Sequence, residues 1–177
     1  MSTTRPLEVE EYNQIIKLLD TGFTYISTDG KEKIFRPNIK VKLALILEAN
    51  LGLRISDILR LKVKNFKNDK LEIEEKKTNK LQYRDINSAI TNLIKDYAIS
   101  SELSQDNFLI NIGERAIQKQ LKIICNFLNI QNISTHSFRK MYATLQFQNN
   151  NNNLYLVKEL LNHTSIATTQ RYIRVSQ

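Results

Sequence analysis

Hydrophobic positions in this chain recur mostly at helical spacing. In residues 7–19, Leu7, Tyr12, Ile15, Ile16 and Leu19 make one apolar stripe, which predicts an amphipathic helix opened by Thr4 and Pro6. The chain then turns polar over 20–37 around Asp29-Gly30. Short β-prone pieces at 23–26 and 33–35 flank that dipeptide, so a small hairpin or loop fits. Residues 39–51 are different: Val41, Leu43, Ala44, Leu45, Ile46 and Leu47 are nearly continuous. A helix apolar on all sides belongs inside the core, and Gly52 ends it. Ser56 then suits the cap of a second helix, with Asp57 at its positive end.

Residues 71–76 and 81–86 read as two strands around the turn Thr78-Asn79-Lys80. A helix over 88–98 is capped by Ser88. Residues 100–112 are irregular, with a short apolar piece at 108–110. Another amphipathic helix covers 116–128, with Ile117, Leu121, Ile124, Cys125 and Leu128 inward, so Cys125 reads as core packing. Five asparagines at 149–153 cannot enter a core and predict a loop. No internal repeat is visible. The class expected is α+β, mainly helical with a small antiparallel β-sheet, folded as one domain over 1–177.

Composition narrows the partners. The chain of 177 residues carries 26 basic and 18 acidic side chains, a formal charge of +8. Such an excess favours an anionic partner, nucleic acid first, because neutralised phosphates release counterions. One cysteine leaves no disulfide framework, and with two histidines it makes a structural zinc site a poor fit. No apolar run reaches the length of a membrane span and no signal peptide opens the chain, so a cytoplasmic protein without a membrane partner is expected.

The last third concentrates the chemistry. It reads T-H-S-F-R-K-M-Y-A-T and, after the polar run, L-L-N-H-T-S-I-A-T-T-Q-R-Y. His136 and Arg139 stand three apart at the start of a helix, which puts both on one face. His163 and Tyr172 are nine apart and would lie on opposite sides of one helix. The Thr164-Ser165 pair breaks the helix and caps a new one, which can carry Tyr172 back toward the cluster. Two histidines, an arginine and a tyrosine gathered there suit a phosphate and a nucleophile.

These motifs, H-x-x-R followed by L-x-H-x-S-x-x-T-T-x-x-Y, resemble the C-terminal signature of the tyrosine recombinases, the phage-integrase family. The resemblance runs from about residue 5 to Tyr172 and implies the catalytic-domain fold of the DNA breaking-rejoining enzymes. G-L-R-I-S-D resembles the segment that carries the family's first catalytic arginine, so Arg54, by itself readable as a surface residue, becomes a candidate, and Asp57 takes an accessory acidic position. K-K-T-N-K-x-x-Y-R-D-I resembles the family's lysine hairpin. Alternation turns Lys76 and Lys77 to opposite faces, and Lys77 is preferred as general acid, with Lys76 and Lys80 close enough to compete.

Implied is a metal-independent and cofactor-free strand transferase with Tyr172 as nucleophile. Arg54 and Arg139 would grip phosphate oxygens, with His136 and His163 beside them, and Lys77 would protonate the leaving 5′ oxygen. The family also implies double-stranded attachment-site DNA as partner, a homotetramer on that DNA, and an accessory DNA-bending or excision factor. The isolated domain would be monomeric, and nucleoid-associated when DNA-bound. Two departures stand out: Asn162 replaces a glycine common before the second histidine, and Lys140 stands where many members have histidine. The family's N-terminal core-binding and arm-binding domains have no counterpart here, and five residues follow Tyr172, so a catalytic domain alone is expected. Two other readings share the same residues, a topoisomerase-like cleaver and resealer of one strand and a non-catalytic basic DNA-binding module.

Overall fold

The apolar run at 39–51 becomes α2 (Ile39–Leu51), a core helix against which three other helices pack. A computed structural model describes residues 4–74, 79, 81–161, 163 and 165–174. In it Leu43, Leu45 and Leu47 of α2 are fully buried on successive faces, each stabilising the fold by about 1.5–3 kcal/mol. Asn38 caps the helix by accepting the Val41 N–H at 3.2 Å. Gly52 closes it in the left-handed region (φ 67°, ψ 19°), its N–H donating to the Glu48 carbonyl. A Cβ there would also land in the Tyr142 ring, so two constraints select glycine.

α1 (Val9–Thr21) packs on α2 through Ile15 and Leu19. It starts two residues later than its apolar stripe suggests. Glu8 is the capping residue, and the Glu11 carboxylate accepts the Glu8 N–H and two hydrogen bonds from Arg5. The polar stretch after it is the expected hairpin, β1 (Phe23–Ile26) antiparallel to β2 (Glu32–Phe35). Two capping residues differ from expectation. Arg54, not Ser56, precedes the short helix α3 (Ile55–Ile58), leaving Ser56 and Asp57 inside its turn. Asn87, not Ser88, caps α4 (Ser88–Ser100): its Oδ1 accepts the Ala89 N–H at 2.7 Å, and Ser88 is already the first helical residue.

Between α3 and α4 lies a three-stranded antiparallel sheet in the order β3 (Phe66–Lys67), β4 (Lys70–Glu74), β5 (Leu81–Asp85). The first of these strands is only two residues long, too short to leave a sequence signal. The expected turn at 78–80 falls outside the described residues apart from Asn79. Arg84 projects from β5 into the body of the protein. It donates to the Leu51 and Leu160 carbonyls and to Tyr142 Oη (3.1 Å), tying the sheet to three helices.

α5 (Glu114–Leu128) buries Ile117, Leu121, Ile124 and Cys125 as expected. Burial pushes the Cys125 thiol up to about 12, which keeps it an unreactive core residue. α6 (Thr135–Asn149) crosses α2, and the polyasparagine loop follows it, with Asn151 and Asn152 in the left-handed conformation that asparagine tolerates. The chain ends with α7 (Leu154–Leu161) and α8 (Ile166–Arg174). These fold back on α6 around a second small core of Tyr142, Ala143, Val157, Leu161 and Ile173. No helix among the described residues is long and apolar enough to cross a membrane.

Candidate active site

The site is built on the first turns of α6. Ser134 accepts the His136 N–H at 3.2 Å, and Ser137 Oγ accepts the Ser134 N–H at 3.1 Å, a reciprocal cap that fixes where the helix begins. Gln118 of α5 braces the same turn by donating to Thr135 Oγ1 at 2.9 Å. With the start of α6 held, His136 and Arg139 point to one side, as their spacing predicts. Arg139 is wholly buried and donates from Nη2 to the Leu161 carbonyl at 2.6 Å, which joins α6 to the end of α7.

α8 returns Tyr172 to this place. Ser165 acts as its cap, accepting the Thr168 N–H at 3.4 Å; Thr164, the other expected capping residue, lies outside the described residues. The Tyr172 hydroxyl sits 2.8 Å from His136 Nε2 and, with that nitrogen unprotonated, donates to it. The Tyr172 ring meets the His163 ring edge-on at 4.8 Å between centroids. Two cations lie over it, the Arg139 guanidinium at 5.8 Å and Lys140 Nζ at 5.5 Å.

His163 stands just before α8, 5% exposed, with Nδ1 2.9 Å from Thr169 Oγ1. Burial, helped by the nearby charges of Arg139, Arg54 and His136, pushes its pKa down to about 3. The ring is therefore neutral at physiological pH. That same dependence brings Arg54, at the start of α3, within electrostatic reach of the cluster. Asp57 lies one turn further on and is buried, with Oδ1 4.0 Å from the Arg60 guanidinium. Four expected residues, His136, Arg139, His163 and Tyr172, are thus in one contact network, and Arg54 acts on it at longer range. Lys77, like Lys76 and Lys80, lies outside the described residues.

Three further residues belong to this neighbourhood. Lys140 is buried, which lowers its pKa, and donates to the Thr4 carbonyl at 2.6 Å, so the start of the chain is tied to the α6 turn beneath Tyr172. Thr169, wholly buried, holds His163; its spacing three residues before Tyr172 on one helix face is a signal in the sequence. Glu48 of α2 is fully buried, and neither carboxylate oxygen has a hydrogen-bond partner among the described residues. Burial raises its pKa well above the ordinary value despite the opposing charge of Arg139. Nothing in the apolar run around Glu48 distinguishes it from a helix-face glutamate. No cluster of three or more histidine, cysteine, aspartate or glutamate residues that could hold a metal ion occurs among the described residues.

The model of the phage integrase family matches residues 5–177. The chain belongs to the phage integrase family. Among curated members of similar sequence, a probable integrase/recombinase of Acholeplasma phage L2 is 28% identical over 97% of this chain and 59% of its own. The tyrosine recombinase XerC of Caldanaerobacter subterraneus is 28% identical over 74% of this chain and 40% of its own. This phage integrase family chain therefore spans roughly half the length of those relatives. Among solved structures, XerH recombinase bound to difH substrate superposes with a TM-score of 0.71 at 23% identity, over 97% of this chain and 50% of that one. A λ integrase dimer bound to a COC′ core site gives 0.73 at 14% identity, over 98% and 49%. The fold is that of the catalytic domains of these recombinases.

Proposed function

We propose that this chain is a single catalytic domain, over 1–177, of a site-specific tyrosine recombinase that cleaves and rejoins double-stranded DNA. One observation carries the reading: the Tyr172 hydroxyl is already hydrogen-bonded to a histidine at 2.8 Å, on a surface where buried arginine charge converges. A phenol is a weak nucleophile until a base takes its proton, and His136 stands where that base must be. The Tyr172 oxygen attacks the DNA phosphorus, the bond from phosphorus to the 5′ oxygen breaks, and a 3′-phosphotyrosine keeps the phosphodiester for rejoining.

Charge that accumulates on the nonbridging oxygens is met by Arg54 and Arg139, whose planar forks match a phosphate and never lose charge near neutral pH. His163 hydrogen-bonds a phosphate oxygen, and Asp57 steadies the arginine-bearing turn. Lys77 donates the proton to the departing 5′ oxygen. Two guanidinium groups supply the charge stabilisation that a divalent ion supplies elsewhere, so the scheme uses no metal. XerH bound to its difH substrate and a λ integrase dimer bound to a COC′ core site share this fold, which supports DNA as the partner here. The phage L2 relative supports integration or excision of a mobile element. In the cytoplasm four protomers act on two attachment sites, with an accessory DNA-bending or excision factor choosing the direction.

The test is covalent trapping on nicked suicide duplexes taken from the DNA that flanks the gene. The wild-type chain should form a detergent-resistant adduct in the presence of chelator, and Tyr172→Phe should form none. An adduct that survives in the Phe variant would remove Tyr172 from the chemistry. Absence of any adduct from the wild-type chain and from a longer protein containing it would sink the strand-transferase reading.

A further inference from the structure

The two ring nitrogens of His163 have unlike surroundings. Nδ1 faces the Thr169 hydroxyl at 2.9 Å, whereas Nε2 is buried and has no hydrogen-bond partner among the described residues, beside the edge-on ring of Tyr172. Thr169 is itself 0% exposed, and His163 Nδ1 is the one hydrogen-bond partner of its hydroxyl among the described residues. A buried hydroxyl proton left without an acceptor is costly, and Nδ1, its one partner among the described residues, accepts it only when unprotonated. With Nδ1 unprotonated and the ring neutral, the one imidazole proton must be on Nε2. The same Thr169 lies three residues before Tyr172 on α8, so one helix both carries the phenol and orients its neighbour.

We propose that Thr169 is a positioning residue for His163: its hydroxyl donates to Nδ1, holds the imidazole as the Nε2–H tautomer, and so presents a neutral N–H donor to the anion bound beside Tyr172. The opposite tautomer would aim a lone pair at that anion and repel it. The identity of the anion as a DNA phosphate rests on the function proposed above; the hydrogen bond and the tautomer do not. A neutral donor suits the place, because Arg54 and Arg139 already bring two charges and a third would be desolvated among them. Thr169 touches no reacting atom and acts through His163 alone.

Nitrogen-15 NMR of the whole 177-residue chain near neutral pH reads the tautomer directly. Only two histidines are present, and a His136→Gln spectrum assigns His163. The expected result is a pyridine-type Nδ1 and a pyrrole-type Nε2 for His163. Both resonances should move in Thr169→Val, which keeps the shape and lacks the hydroxyl, and return in Thr169→Ser. A protonated Nδ1 in the wild type, or His163 shifts unchanged in the Val variant, would overturn the assignment. In the trapping reaction at saturating suicide duplex, Thr169→Val should slow adduct formation roughly tenfold, the scale of one neutral hydrogen bond, at unchanged duplex affinity, with Ser restoring the rate. An unchanged rate in the Val variant would refute the positioning role. A wild-type chain that forms no adduct would count against the strand-transferase reading, while the nitrogen shifts would still decide the Thr169–His163 bond.

Discussion

At the scale of single residues, the cluster around Tyr172 works by keeping unlike groups at unlike protonation. His163 is neutral because burial and two arginines oppose a further charge. Glu48 is biased toward its protonated form because it is fully buried without hydrogen bonds, which leaves the charge of Arg139 available. These shifts act on stability with opposite signs. His163 is depressed in the folded state, so its contribution is complete above about pH 6.5, the unfolded value, and is lost as pH falls toward about 3. Glu48 is raised, so its contribution is complete below the ordinary carboxylate pKa and is lost as pH rises through the folded value. Each group bends the profile by at most about 1.4 kcal/mol per pH unit. Urea midpoints measured from pH 4 to 8 should therefore fall less steeply on acidification in His163→Gln than in wild type. They should fall more steeply in Glu48→Gln. Parallel profiles for all three proteins would contradict these assignments.

At the scale of elements, the joint between α2 and α6 decides where the site residues stand. α6 carries His136 and Arg139, and Tyr142 of α6 lies against Gly52 at the end of α2. Arg84 locks the same joint from the sheet, donating to Leu51, Leu160 and Tyr142. Gly52→Ala places a Cβ in the Tyr142 ring and a side chain at φ 67°. A left-handed backbone costs about 1–2 kcal/mol and overpacking about 1–3, so a loss of roughly 2–5 kcal/mol is expected in chemical denaturation. A loss below about 0.5 kcal/mol would mean that the joint is looser than its geometry, since only surface substitutions normally stay within that bound.

At the scale of the whole molecule, the formal charge of +8 makes the DNA binding proposed above depend on salt before any base is read. Neutralising even three phosphates makes affinity fall roughly tenfold to a hundredfold when salt rises fourfold. Fluorescence anisotropy with a nonspecific duplex at 50 and 200 mM salt should show that fall. A flat salt response would remove the electrostatic basis of the DNA reading. The small core of α6, α7 and α8 places Tyr172 next to His136 within one chain, so the proposed nucleophile and base come from the same protomer.

The periodic signals settled α1, α2 and α5, while α7 had no reading of its own in the sequence. The period of α5, the unbroken apolar run of α2 and the Asp29-Gly30 turn each specify an element by local chemistry, and the spacing of His136 and Arg139 specifies their shared face. The order and flanks of Arg54, His136, Arg139, His163 and Tyr172 were legible as a family pattern because they are contiguous motifs. Capping residues were less legible: Asn87 and Ser88 are both good caps, and only the backbone path distinguishes them. What the tertiary structure alone decided is what depends on partners distant in the chain. Burial of Glu48, the three-way clamp of Arg84, the tie from Lys140 to Thr4 and the lack of a partner for His163 Nε2 among the described residues arise where segments distant in the chain meet, and no periodicity within one element encodes which side chain meets which partner.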